Sequence, residues 1–179
     1  MTDLLTYINT PEFLANLTSD RFFLILAVIV LSSLKHSAYK SMWLTMLINL
    51  PGTILHECAH LIVGFLLNAR PVSFSLFPKK AGDNYVTGQV GFSNLKFYNA
   101  LPTSLAPLLL LVFAFLLNKY FFELIKLSFG SYLLYIFLLT VIIENAMPSR
   151  TDFKQGFGYI SGNLLYLLLS AAAFIALRN

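Results

Sequence analysis

Apolar residues run through this chain in long stretches, with the polar positions gathered between them. The first stretch, Phe22 to Leu34, follows Thr18-Ser19-Asp20 and precedes Lys35-His36-Ser37. At about 1.5 Å per residue it falls short of a hydrocarbon core of roughly 30 Å, so it must borrow flanking residues or be partly covered by protein. A second stretch extends from Ser41 to Asn68 and is interrupted by Pro51-Gly52. The pattern predicts a helix that breaks or kinks there and resumes over 53–68. Further apolar stretches cover Leu101 to Leu117, with Pro102 and Pro107 in the first half, then Ser131 to Ile143, and finally Tyr159 to Leu177. A polar loop over 144–158 separates the last two. The amphipathic Pro11 to Leu17 predicts a short interfacial helix within an N-terminal segment, 1–20.

Over 72–92 the period changes. Val72, Phe74 and Leu76 alternate with Ser73 and Ser75, which is the period of a strand. Pro78 to Asn84 supplies turn chemistry, and Tyr85 to Val90 reads as the returning strand of a β-hairpin. Its open edges cannot face lipid, so it must lie at the interface or against protein. Taken together, the pattern predicts an α-helical polytopic membrane protein over 1–179, a single membrane domain. It has about five or six membrane segments and one small hairpin after its second apolar stretch.

Composition agrees. Of 179 residues, 58% are hydrophobic and 11% charged, and mean hydropathy is +0.74. A soluble domain carries about 25% charged residues, so the polar surface here is too small to coat a water-facing globule. The net charge of +4 comes from scattered Lys and Arg with no basic run. That pattern suits anchoring at lipid headgroups and excludes a nucleic-acid groove. Lys35 and Lys40 on one side, and Arg70, Lys79 and Lys80 on the other, give the positive-inside rule no orientation to choose. The single cysteine, Cys58, rules out an intramolecular disulfide framework. Met1 to Asp20 carries three acids and no base, unlike the basic start of a secretory signal.

The chemistry lies in Ile54-Leu55-His56-Glu57-Cys58-Ala59-His60-Leu61, an H-E-x-x-H pattern inside an apolar helix. At about 100° per residue, His60 lies about 40° from His56 around the axis and one turn along. Two imidazoles so placed can ligate one metal, with Glu57 beside them to take a proton from a water that the metal activates. Ionisable groups in a membrane helix cost about 2.5–3.5 kcal/mol each, so three in one turn call for a metal or polar partners. Imidazole ligands favour zinc over calcium or magnesium. A third ligand is needed, and Glu144 and Asp152 are the acids near membrane segments in the second half. His36, beside Lys35, reads as a solvated interfacial histidine, and Cys58 points about 200° from His56, toward a neighbouring helix. The competing structural reading is a polar patch that ties helices together.

With these residues the chain resembles the site-2 protease family of intramembrane metallopeptidases. In that family the H-E-x-x-H helix is followed by a membrane-associated β segment, and a later N-x-x-P with a downstream Asp-Gly supplies the third zinc ligand. Here Asn145-Ala146-Met147-Pro148-Ser149-Arg150-Thr151-Asp152 matches the Asn, the Pro and the acid. The residue after the acid is Phe153 instead of Gly, the Pro-to-Asp spacing is one residue shorter, and there is no PDZ-like insert. The resemblance implies zinc held by His56, His60 and Asp152, Glu57 as general base, and Asn145 positioning substrate or oxyanion. The expected function is hydrolysis of membrane-embedded or membrane-associated protein substrates. The alternative is a non-catalytic metal-binding scaffold or a metal transporter. For the hairpin, two readings stand: an edge that captures extended substrate by strand addition, or a plug that covers the site.

Overall fold

A computed structural model describes residues 2–19, 21–37, 42–76, 79–81, 84–86 and 88–178. It is mostly helical, and it divides into two compact units: residues 1–51 with 111–144, and residues 52–110 with 145–179. Among the described residues, two helical stretches, Ala106–Leu124 and Ile160–Arg178, are long and apolar enough to cross a membrane, and Phe129–Glu144 is a shorter apolar helix.

The first unit contains α1 (Thr2–Tyr7), α2 (Pro11–Ser19), α3 (Arg21–Ser37) and the start of α4 (Met42–Leu66). Most of α6 (Leu109–Leu124) and all of α7 (Phe129–Glu144) complete it. The N-terminal segment expected to hold one short helix holds two. Its core lies along α7, where Tyr132, Tyr135, Ile136, Leu139 and Ile142 are buried. Phe121 and Phe122 pack their rings on Tyr135 at 5.4 Å and 5.1 Å. Buried hydroxyls meet acceptors: Tyr135 donates to Asn118 Oδ1 at 2.6 Å and Tyr132 to the Leu17 carbonyl at 3.1 Å. Glu144 ends α7, and its Oε1 accepts from Ser32 Oγ at 2.7 Å.

Of the break or kink expected at Pro51-Gly52, the break does not occur: α4 runs from Met42 to Leu66 with Pro51 inside it. A proline inside a helix removes one backbone donor and crowds one carbonyl. Asn49, Gly52 and Thr53 around it are weak helix formers, so local propensity does not account for the continuous helix.

The second unit begins at Gly52 within α4. The helix is closed by Asn68, which takes the left-handed conformation (φ 58°) common at the residue after a helix end. The strands are β1 (Pro71–Ser75), β2 (Lys79–Ala81), β3 (Asn84–Val86) and β4 (Gln89–Phe92). β1 pairs antiparallel with β4, Phe74 opposite Val90, and β2 pairs with β3. The expected single hairpin is thus two nested ladders, and its partner for β1 starts four residues later than the sequence pattern placed it. The Phe92 ring lies where a side chain on Gly64 would stand, which seats β4 on α4.

After the strands come α5 (Ala100–Ser104), a 3-10 turn (Ala106–Leu108), α8 (Arg150–Phe157) and α9 (Ile160–Arg178). The expected span 101–117 is therefore broken near its prolines into α5, the turn and α6. The segment 144–158, expected as a loop, contains α8. Asn99, fully buried, ties the unit together: its Oδ1 accepts from Lys96 N at 2.7 Å, and its Nδ2 donates to the carbonyls of Leu67 (3.2 Å) and Asn94 (3.1 Å). Gly156 lets α8 approach Ser104 of α5, and Gly162 lets α9 lie on the Phe97 carbonyl. Lys40, Pro78, Gly82, Asp83 and Thr87 lie outside the described residues, as do the side chains of Lys35, His36, Thr45, Lys79 and Lys80.

Candidate metal centre

His56, Glu57 and His60 stand on α4, and helical periodicity alone puts the two imidazoles one turn apart on one face. Their Nε2 atoms are 3.2 Å apart. Asp152 arrives from α8 with Oδ2 at 3.5 Å from His56 Nε2 and Oδ1 at 3.4 Å from His60 Nε2. His60 and Glu57 are buried, at 4% and 7% exposure, and His56 and Asp152 are mostly covered.

The imidazoles are oriented from behind. His56 Nδ1 lies 2.8 Å from the Asn145 carbonyl and His60 Nδ1 2.8 Å from the Thr103 carbonyl. A carbonyl only accepts, so each Nδ1 must carry the proton, and each Nε2 of a neutral ring then turns a lone pair inward. Proline withholds one backbone donor from each of these carbonyls. The residue four beyond Thr103 is Pro107, which has no N–H to give it. Beyond Asn145, Pro148 lacks an N–H and the Ser149 N–H is already taken by Asp152 Oδ2 at 2.7 Å.

Asp152 is held just as firmly. Ser149 caps α8: its hydroxyl accepts from Asp152 N at 3.2 Å while the Asp152 carboxylate accepts from Ser149 N, a reciprocal capping box. Burial alone would raise the Asp152 carboxyl. Donation from His56 and His60 in their protonated forms, with that from Ser149, outweighs burial and puts the carboxyl well below the usual carboxylate range; a metal ion in place of those protons acts in the same direction.

Two imidazole lone pairs and a carboxylate facing one another at 3.2–3.5 Å repel unless a cation lies among them. A single proton relieves one pair; a metal ion relieves all three. Ligands about 2.0–2.1 Å from one tetrahedral ion lie about 3.3–3.4 Å apart; the two Nε2 atoms, at 3.2 Å, are close to that, and with one ligand atom from each residue the three lie within 4.8 Å of one another. The donor set therefore fits zinc. The Nδ1-to-carbonyl bonds are the supports that metal-bound histidines use.

Glu57 faces the strands. The Val90 backbone amide hydrogen-bonds its carboxylate, and Gly88 lies so close that an added Cβ would meet Glu57 Oε1 at 2.6 Å. Gly88 also has φ 80°, a conformation that other residues avoid. The Asn145 side chain occupies the space that a Cβ on Gly52 would fill, one turn before His56.

Of the residues singled out from sequence, His56, His60 and Asp152 converge and Glu57 stands beside them on α4. Asn145 contributes its carbonyl, which accepts from His56 Nδ1; the expectation for this residue was the positioning of substrate or oxyanion. Glu144 is not one of the three converging groups, and Cys58 is a half-buried free thiol. Sequence reasoning passed over Thr103, Ser149, Gly88 and Val90. For the first two a signal was present: Pro107 four residues after Thr103, and the Ser149-x-x-Asp152 capping spacing.

Fold and site together define a mostly helical protein that has, among the described residues, two helical stretches long and apolar enough to cross a membrane and a His-His-Asp group that could hold a metal ion. Comparison with family models, curated proteins and solved structures finds no match for the chain.

Proposed function

We propose that the chain is an intramembrane zinc metallopeptidase of the site-2 protease type. It crosses the membrane with about five or six segments, two of them the long apolar helices, and hydrolyses peptide bonds of membrane-embedded or membrane-associated proteins. One observation carries the reading: His56, His60 and Asp152 converge through lone pairs, with the Glu57 carboxylate beside them on the same helix.

His56, His60 and Asp152 would hold the ion. Zinc, when bound, supplies a Lewis acid that makes water acidic near neutral pH. Glu57 accepts the proton of the attacking water on its carboxylate as the oxygen adds to the peptide carbonyl. When the C–N bond breaks, Glu57 returns that proton to the leaving amine. The Val90 amide aims the carboxylate, and burial of Glu57 keeps bulk water from competing for the proton. Asn145, through its carbonyl, fixes the ring of His56, and its amide stands near enough to that turn of α4 to meet substrate.

The competing classes, a metal-binding scaffold or a transporter, share the ligands but have no use for Glu57. The deciding experiment measures zinc content and peptide cleavage in wild-type and Glu57→Gln protein. Stoichiometric zinc in both, with cleavage only in the wild type, supports a peptidase. Zinc in both with cleavage in neither supports a scaffold, and cleavage retained by Glu57→Gln removes the base assignment.

A further inference from the structure

α8 has two faces. At about 100° per residue, Asp152 and Gly156 lie together on one side, turned to the metal centre and to Ser104 of α5. Arg150, Phe153, Lys154 and Phe157 share a face about 100° wide on the other side, and all four are exposed. The rings of Phe153 and Phe157 stack at 6.0 Å with 16° between planes. Neither Arg150 nor Lys154 makes an ion pair among the described residues, and the helix's one acid, Asp152, faces the other way.

The place of this face along the chain indicates what covers it. Only Gly158 and Tyr159 separate α8 from α9, the helix whose apolar side chains are left almost wholly uncovered by protein. Where α9 meets the membrane surface, α8 must lie at that surface too. The first turns of α9 carry a second basic and aromatic pair. Tyr159 OH donates to the Leu95 carbonyl at 3.2 Å, Tyr166 OH to the Tyr98 carbonyl, and Gly162 abuts the Phe97 carbonyl. These contacts hold exposed Lys96 and Phe97 beside the same end of the helix. Aromatic rings with Lys and Arg form the composition that settles at the headgroup layer, and uncompensated cations there select anionic lipid.

We propose that Lys96, Phe97, Arg150, Phe153, Lys154 and Phe157 form a docking surface for anionic lipid headgroups, on the reverse side of the helix that delivers Asp152. The inference rests on the membrane half of the proposed function and not on the peptidase half.

The test uses the full chain with Trp43→Phe, which removes the single tryptophan, and Phe157→Trp as reporter, with Phe153→Trp as an independent second reporter. Each is reconstituted in phosphatidylcholine vesicles containing increasing brominated phosphatidylglycerol, or brominated phosphatidylcholine as control. The expected result is quenching that saturates at low mole fraction of the anionic lipid and only tracks bulk content for the zwitterionic one. Arg150→Gln and Lys154→Gln should raise the half-saturating fraction, by up to about fivefold per charge removed. Equal quenching by the two lipids with both reporters, or no shift when both charges are removed, overturns the proposal. Release of the chain from membranes by alkaline carbonate would instead overturn the membrane reading beneath it. Zinc content reports separately on the peptidase reading.

Discussion

The two units handle polar groups inside apolar helices in opposite ways. In the first, donor meets acceptor: Tyr135 finds Asn118, Tyr132 finds the Leu17 carbonyl, and Ser32 finds Glu144. Each pair is complete and ties helices together. In the second, acceptor meets acceptor, with His56, His60 and Asp152 turned on one another while the two Nδ1–H donors are used up behind them. Polar residues in an apolar helix therefore do not by themselves mark a site. What distinguishes one is an arrangement that remains unsatisfied until a cation arrives.

The comparison is most sharply tested at Glu57. Replacement by Gln is expected to lower cleavage about 10²–10⁴-fold, the usual contribution of a positioned general base, with zinc content unchanged by elemental analysis. Next come the ligands. Asp152→Ala should abolish stoichiometric zinc, whereas Glu144→Ala should leave zinc in place and only loosen the α3–α7 contact. Zinc lost from the Glu144 variant and kept by the Asp152 variant would reverse the assignment of the third ligand.

A subtler break is Pro107→Ala. It gives the Thr103 carbonyl a backbone N–H four residues on, in competition with His60 Nδ1. Loss of such an orienting contact is expected to weaken zinc binding about 10–100-fold, measured by competition with a chelator of known affinity. An unchanged affinity would mean that the Thr103 carbonyl is not what orients His60. The smallest effect belongs to the first unit: Tyr135→Phe removes one neutral hydrogen bond, costs about 1 kcal/mol in thermal or denaturant unfolding, and leaves zinc affinity unaltered.

Much of the site was legible because it is local. H-E-x-x-H places two imidazoles on one face by helix periodicity, and Ser149-x-x-Asp152 writes a capping box whose carboxylate is held by its own backbone. The resemblance to the site-2 protease pattern pointed to Asp152 despite Phe153 and the shortened spacing. The continuity of the helix through Pro51 was not legible, because a Pro-Gly pair is the same local signal for a kinked helix and for a broken one. Nor was the register of β1 on β4, since alternation marks a strand but leaves its partner open.

What the sequence determined alone is whatever depends on neighbours along the chain: apolar stretches, the spacing of His56, Glu57 and His60, and the cap that holds Asp152. Only the tertiary structure decided which acid reached the imidazoles, which carbonyls stood behind them, and that Gly88 and Val90 lay against Glu57. Those contacts join segments far apart in the chain, and packing decides them: Phe92 seated on Gly64, Asn99 binding three backbone groups, and Gly156 admitting α8 to α5.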